Sequence, residues 1–150
     1  MNAYVDGLKM LARRELSEAQ VRQRLARRGY DEDAIEQAVA RLKAERALDD
    51  ARVAAAIART ETAIKRRGKL RVTRAIESAG IARTVARSAV DELFGELDPD
   101  ALIASSLARR LRGGRMIADD REFQRLYRYL IAQGFDADQV LRALRVRSVK

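Results

Sequence analysis

Six basic side chains fall within ten positions in the middle of this chain: Lys65, Arg66, Arg67, Lys69, Arg71 and Arg74. Cations gathered this way pair with phosphates or with the carboxylates of a partner. Val72, Ala75, Ile76 and Ala79 follow helical spacing, so Arg71 and Arg74 are expected to point away from that apolar face. A second basic group lies further on. Arg109, Arg110, Arg112 and Arg115 surround Gly113-Gly114. Arg121, Arg125 and Arg128 share one helix face, opposite Phe123, Leu126, Tyr127, Leu130 and Ile131. Arg24, Arg27 and Arg28 make a weaker third group. Tyr129 stands off the apolar stripe beside Arg128, where it could reach a ligand, although packing is the plainer reading; Tyr127 lies on the stripe and is expected in the core.

Other chemistry is restricted by what is missing. The chain has no His and no Cys. It therefore lacks the commonest general base, a thiolate nucleophile and the usual zinc or iron–sulfur ligands. The pairs Asp49/Asp50 and Asp119/Asp120 resemble the clustered carboxylates of metal-dependent nucleases. Both stand where helices begin, however, and Asp there caps free N–H groups and complements the helix dipole. Gly113-Gly114-Arg115 has neither the spacing nor the preceding strand of a phosphate loop. A binding protein with no catalytic residues, no cofactor and no metal is expected.

The net charge of +9 is spread along the chain. Residues 1–48 hold 10 basic and 8 acidic side chains, 49–97 hold 10 and 7, and 98–150 hold 11 and 7. A distributed excess suits a long polyanion such as nucleic acid, or an acidic groove. The longest uncharged run, Ala101 to Ala108, is far shorter than the roughly 20 residues of a membrane span. No basic-then-apolar leader pattern opens the sequence. The expectation is a cytoplasmic monomer that does not enter membranes.

The elements that position these residues follow from a threefold repeat. Aligned on Gly29, Gly80 and Gly134, the chain shows Val21, Val72 and Leu126 eight residues earlier, and Leu25, Ile76 and Leu130 four earlier. Tyr30, Ile81 and Phe135 follow each Gly directly, then Ile35, Ala86 and Val140, then Ala38, Ala89 and Ala143. Positions four apart share a helix face, and Gly fits the left-handed residue that ends a helix. Each Gly should therefore close one amphipathic helix and open another. Asp31 and Asp136 are placed to cap the second; Ala82 stands there in the middle repeat. A further helix precedes each pair: roughly Tyr4 to Arg14, then Asp50 to about Arg66, then Pro99 to about Leu111. Ser17 is expected to cap the helix after the first, and Asp49 and Asp98 to cap the upstream helices of the second and third repeats. Ala38, Ala89 and Ala143 should sit at helix crossings.

The fold expected is all-α: three tandem three-helix repeats, 1–48, 49–97 and 98–150, in an extended, curved array. Apolar residues make up 47% of the chain, but many are Ala, so each local core should be thin.

The ordered set of motifs resembles the RecX family. Arg13-Arg14-Glu15-Leu16-Ser17, Gly29-Tyr30 and Leu48-Asp49-Asp50 are similar to its first module. Arg67-Gly68-Lys69, Val72, Ile76 and Gly80-Ile81 are similar to the second. Arg128-Tyr129-Leu130, Gly134-Phe135 and Val140 are similar to the third. The sequence departs from the family pattern at Val53, where an aromatic residue is usual, and at Gln133, where a basic one is common. The resemblance implies a bacterial regulator that binds RecA on single-stranded DNA and restrains strand exchange, ATP hydrolysis and co-protease activity in the SOS response and homologous recombination. It implies occupation of the filament groove or a block to filament growth, with weak direct binding to DNA. The alternative from the residues alone is a stand-alone, sequence-nonspecific nucleic-acid-binding module. That module would need no RecA and would lose affinity steeply with salt.

Overall fold

The computed structural model describes residues 2–149. Among them are nine α-helices: α1 (Ala3–Arg13), α2 (Glu18–Arg27), α3 (Glu32–Ala44), α4 (Asp50–Ala63), α5 (Lys69–Ser78), α6 (Arg83–Gly95), α7 (Pro99–Leu107), α8 (Asp120–Ala132) and α9 (Ala137–Val146). A short 3-10 turn covers Arg112–Gly114. No strand forms among the described residues; a single parallel bridge joins Ile117 to Ser148.

The helix ends marked by the three repeat glycines are where the sequence placed them. Gly29, Gly80 and Gly134 all take left-handed backbone, with φ of 94°, 82° and 99°. The following N–H groups of Tyr30 and Phe135 reach back to the carbonyls of Leu25 and Leu130 at 3.3 and 3.2 Å. This closes the last turn and satisfies carbonyls that would otherwise lack a donor. At the other ends, Ser17 and Gln20 form a reciprocal capping box. Asp31, Asp98, Asp119 and Asp136 each accept a backbone N–H of the first turn. Asp49 does the same for Ala51 and Arg52.

Two helices stop earlier than their sequence suggests. The α4 helix ends at Ala63, because Arg66 adopts left-handed backbone (φ 56°) and the Arg67 N–H bonds back to the Glu61 carbonyl at 3.1 Å. A helix-closing turn built on Arg leaves no glycine signal to read. The α7 helix ends at Leu107 and gives way to the turn that carries Gly113 and Gly114, both at positive φ. One expected crossing residue also differs. Ala38 and Ala143 are buried, but in the middle repeat Ala86 is fully buried while Ala89 is half-exposed.

The chain forms two compact units. One contains the residues up to Ala56 together with Ile76–Ala89; the other contains Ile57–Ala75 and the residues from Val90 on. The first unit's core is Met10, Leu16, Val21, Leu25, Ile35, Val39, Leu42 and Leu48, with Ala3 and Ala38. Gly7 lets α1 press onto α3, since a Cβ there would lie 2.7 Å from Leu42 Cδ1. The second unit's core includes Ile103, Leu107, Leu111, Ile117, Leu126, Leu130, Phe135, Val140 and Leu144. Each fully buried Leu contributes about 1.5–3 kcal/mol by leaving water.

One junction occurs twice, in equivalent places. Twelve residues before the first repeat's Gly, Ser17 Oγ donates to the Ala79 carbonyl at 2.5 Å, and Ala19 fits against Gly80, where a Cβ would not. Twelve residues before the second repeat's Gly, the Gly68 N–H donates to the Gln133 carbonyl at 2.7 Å, and Leu70 N–H to Gly134 at 3.1 Å. In both cases the start of a repeat's middle helix docks on the glycine turn of the next repeat. The repeat glycine thus ends a helix and also provides a landing surface free of Cβ.

Candidate functional site

The middle basic group is fixed in place by this docking. Lys65 and Arg67 both grip the Glu61 carboxylate, at 2.9 and 2.7 Å. Glu61 is only 4% exposed. Burial pushes its carboxyl upward, but the bonds from Lys65 and Arg67 outweigh burial and hold it below the ordinary value. Arg66 donates to the Ser105 carbonyl at 2.8 Å. Lys69 pairs with Asp91 at 2.9 Å. Arg71 is half-buried and donates to the Ala132 carbonyl at 3.2 Å and to Gln133 Oε1 at 3.1 Å. The expectation that Arg71 points away from packed structure is therefore corrected: its guanidinium caps the C-terminal end of α8. Arg74 is exposed as expected and has no ion-pair partner among the described residues.

Gln133 also explains its own departure from the family pattern. Its amide nitrogen donates to the Lys65 carbonyl at 3.4 Å while its oxygen receives Arg71. The side chain ties the basic loop down and is not itself a cationic contact.

The third-repeat group divides. Arg110, Arg125 and Arg128 line a cleft of about 390 Å³ together with Arg115, Glu122, Leu126 and Tyr129. Arg109, Arg112 and Arg121 are exposed and do not line it. Arg115 is clamped on Glu122 by two bonds of 2.9 and 2.5 Å. Those bonds come first, and the Ala118 N–H adds another at 3.0 Å, so the Glu122 carboxyl drops to about 2. Arg125 lies further off, 3.8 Å from the same carboxylate. The Arg110 guanidinium covers the Tyr129 ring at 4.1 Å from its centre, a favourable cation–π distance. Tyr129 also accepts a bond from Ser106 Oγ at 3.3 Å, and its ring packs against the core, as does that of Tyr127.

The first repeat holds a basic cleft that sequence reasoning missed. Lys9, Arg13, Arg14, Arg24 and Arg28 surround Met10. Only Arg24 and Arg28 were among the expected residues, and Arg27 does not line the cleft. The available signal was a pair of i, i+4 rows, Lys9/Arg13 on α1 and Arg24/Arg28 at the C-terminal end of α2, joined by a short connection.

Comparison with known proteins adds to this geometry. The family described as RecX, first three-helix domain, matches residues 3–42, which span α1 and α2 and most of α3. The regulatory protein RecX of Syntrophotalea carbinolica is 33% identical over 135 residues, covering 89% of this chain and 88% of that protein. The regulatory protein RecX of Halorhodospira halophila is also 33% identical, over 89% of this chain and 80% of its own length. This chain belongs to the RecX family. The crystal structure of RecX from Lactobacillus salivarius superposes with a TM-score of 0.79 at 18% identity, over 96% of this chain and 95% of that one. At that identity the likeness speaks for the fold, which is the RecX helical-repeat fold.

Within this RecX fold the acidic pairs act as helix-starting residues. Asp49 and Asp119 cap α4 and α8. Asp50 accepts the Glu18 N–H at 2.9 Å, and burial raises its carboxyl above the ordinary value. Among the described residues no cluster of carboxylates has the geometry to hold a metal ion. No described helix is long and apolar enough to cross a membrane.

Proposed function

We propose that this RecX-family chain is a cytoplasmic, non-enzymatic regulator that binds the RecA filament on single-stranded DNA and lowers RecA's recombinase, ATPase and co-protease activities. The observation that carries this reading is the immobilised basic loop. Among the described residues, six cations at residues 65–74 face two carboxylate partners, Glu61 and Asp91, so a surplus of positive charge is held at one place. Arg66 and Arg71 bond to neutral acceptors, which orient the guanidinium without cancelling its charge. A preordered cationic surface of this kind binds phosphates or acidic side chains without a large ordering cost. Arg109, Arg110, Arg112, Arg121, Arg125 and Arg128 extend the contact in the third repeat. The modules 1–48, 49–97 and 98–150 are read as its successive binding units, working as a monomer.

The test is RecA's ATPase on single-stranded DNA. Added to preformed filaments, the chain should lower the rate in a saturable manner and hydrolyse neither ATP nor DNA alone. An unchanged rate at saturating protein would overturn the assignment.

A further inference from the structure

The cleft between α1 and α2 is lined by five cations, Lys9, Arg13, Arg14, Arg24 and Arg28. In two other basic groups a buried carboxylate gathers part of the charge, Glu61 holding Lys65 and Arg67, and Glu122 holding Arg115. No carboxylate lines this cleft of about 190 Å³, and its floor is the buried side chain of Met10. Arg28 has an acidic partner, Asp6, at 3.5 Å, and Asp6 is itself held by the Tyr30 hydroxyl at 2.5 Å. Lys9, Arg13, Arg14 and Arg24 are exposed and have no ion-pair partner among the described residues. Like charges converging on a concavity concentrate an oppositely charged ligand there.

We propose that this cleft is a separate, sequence-neutral contact for the phosphodiester backbone of nucleic acid. Three features of its lining select that ligand. Four of the five cations are Arg, whose planar fork fits phosphate oxygens. Lys9 with Arg13 and Arg24 with Arg28 stand in two rows, each about one helical turn, or about 6 Å, along the axis, so they meet successive charges along a strand. The lining has no aromatic ring on which a base could stack and no exposed apolar anchor of the kind that dominates protein interfaces. The site therefore reads charge and spacing and leaves the bases unread. This goes beyond the RecA-directed surface of the middle repeat and does not depend on it.

The experiment uses the full chain without RecA. Anisotropy of a fluorescein-labelled oligothymidylate is followed through a salt series for the parent and for the double variant Arg13→Gln/Arg24→Gln, with circular dichroism to confirm unchanged helicity. Single strands give a slope of roughly −0.7 per phosphate neutralised, so losing two contacts should flatten the slope by about 1.4. At 0.1 M salt the same term weakens binding roughly 25-fold. Arg142→Gln/Arg145→Gln makes the same charge change at exposed α9 positions and should leave the slope near that of the parent. An oligoadenylate should behave like the oligothymidylate. The proposal is overturned if the parent does not bind, or if the cleft variant matches the α9 variant. It is also overturned if the cleft variant loses binding to polyglutamate or to phosphatidylglycerol vesicles while keeping the oligonucleotide. Failure of the RecA reading would appear only in the ATPase assay, so the two are separable.

Discussion

Gly68→Ala tests the docking that holds the middle basic loop. Gly68 does not need positive φ, so its side chain is excluded by space alone. A Cβ there would lie 2.6 Å from Gly134 C and Phe135 N, and 2.7 Å from the Gly134 carbonyl oxygen. All three are backbone atoms of a helix-closing turn and cannot swing aside. Separating them removes two backbone bonds, Gly68 N–H to Gln133 O at 2.7 Å and Leu70 N–H to Gly134 O at 3.1 Å. Each contributes about 1 kcal/mol net, and relieving an overpacked contact costs about 1–3 kcal/mol more. The total is about 4 kcal/mol, or roughly 8–16 °C in Tm for a chain of this size. Gly29→Ala is the matching control. Its φ of 94° makes Ala strained, but no atom lies within 4 Å of the added Cβ, so only the backbone penalty of about 1–2 kcal/mol applies. Thermal melts by circular dichroism should rank the two variants in that order. Hydrogen exchange should show the Leu70 amide deprotected in Gly68→Ala and unchanged in Gly29→Ala. If Gly68→Ala melts no lower than Gly29→Ala, or if its Leu70 amide stays protected, the docked arrangement is wrong.

Two arginine variants separate charge from architecture. Arg74→Glu should weaken inhibition of RecA's ATPase with little change in Tm, since an exposed change costs under about 0.5 kcal/mol; Arg71→Glu should lower both, because it also removes the bonds to Ala132 and Gln133. Glu122 titrates near 2 when folded against an ordinary 4.5, so its bonds to Arg115 and Ala118 stabilise the fold fully above about 4.5 and less as pH falls toward 2. Parent Tm should fall across that window more steeply than the Tm of Glu122→Gln, which has no carboxyl at position 122, and parallel curves would refute the assignment.

The helical repeat was readable because its signals are local. Gly29, Gly80 and Gly134 recur with apolar residues at fixed offsets, and Ser17, Asp49 and Asp98 each stand directly before a helical stretch. Local patterns say nothing of partners far apart in the chain. Arg71 looks solvent-facing on its own helix, and only the turn 62 positions later makes it half-buried. The ends of α3 and α4 were blurred for a related reason, since Arg46 and Arg66 supply left-handed backbone that Gly normally supplies. The α1–α2 cleft failed differently. Each row, Lys9/Arg13 or Arg24/Arg28, resembles an ordinary solvated stripe, and the site exists only where the helices face each other.

The positions of the carboxylates decide which cations remain available. A carboxylate removed from water is tolerated when strong donors surround it, so Glu61 and Glu122 each recruit cations from nearby turns. Lys65, Arg67 and Arg115 thereby become parts of the fold, and replacing any of them would leave a buried carboxylate short of a donor. Such a variant would lose activity for structural reasons and would report little about binding. Arg74, Arg13 and Arg24 have no such obligation among the described residues, so a loss on changing them can be assigned to a partner. The +9 of the sequence is therefore a poor measure of the charge offered to a ligand. In the first unit no carboxylate lines the cleft, and four of its five cations have no ion-pair partner among the described residues. In the middle loop one carboxylate absorbs two cations, and a second takes Lys69. Arg74 and the unpaired cations of the α1–α2 cleft are charges that the fold itself does not use, and substitutions there separate binding from stability.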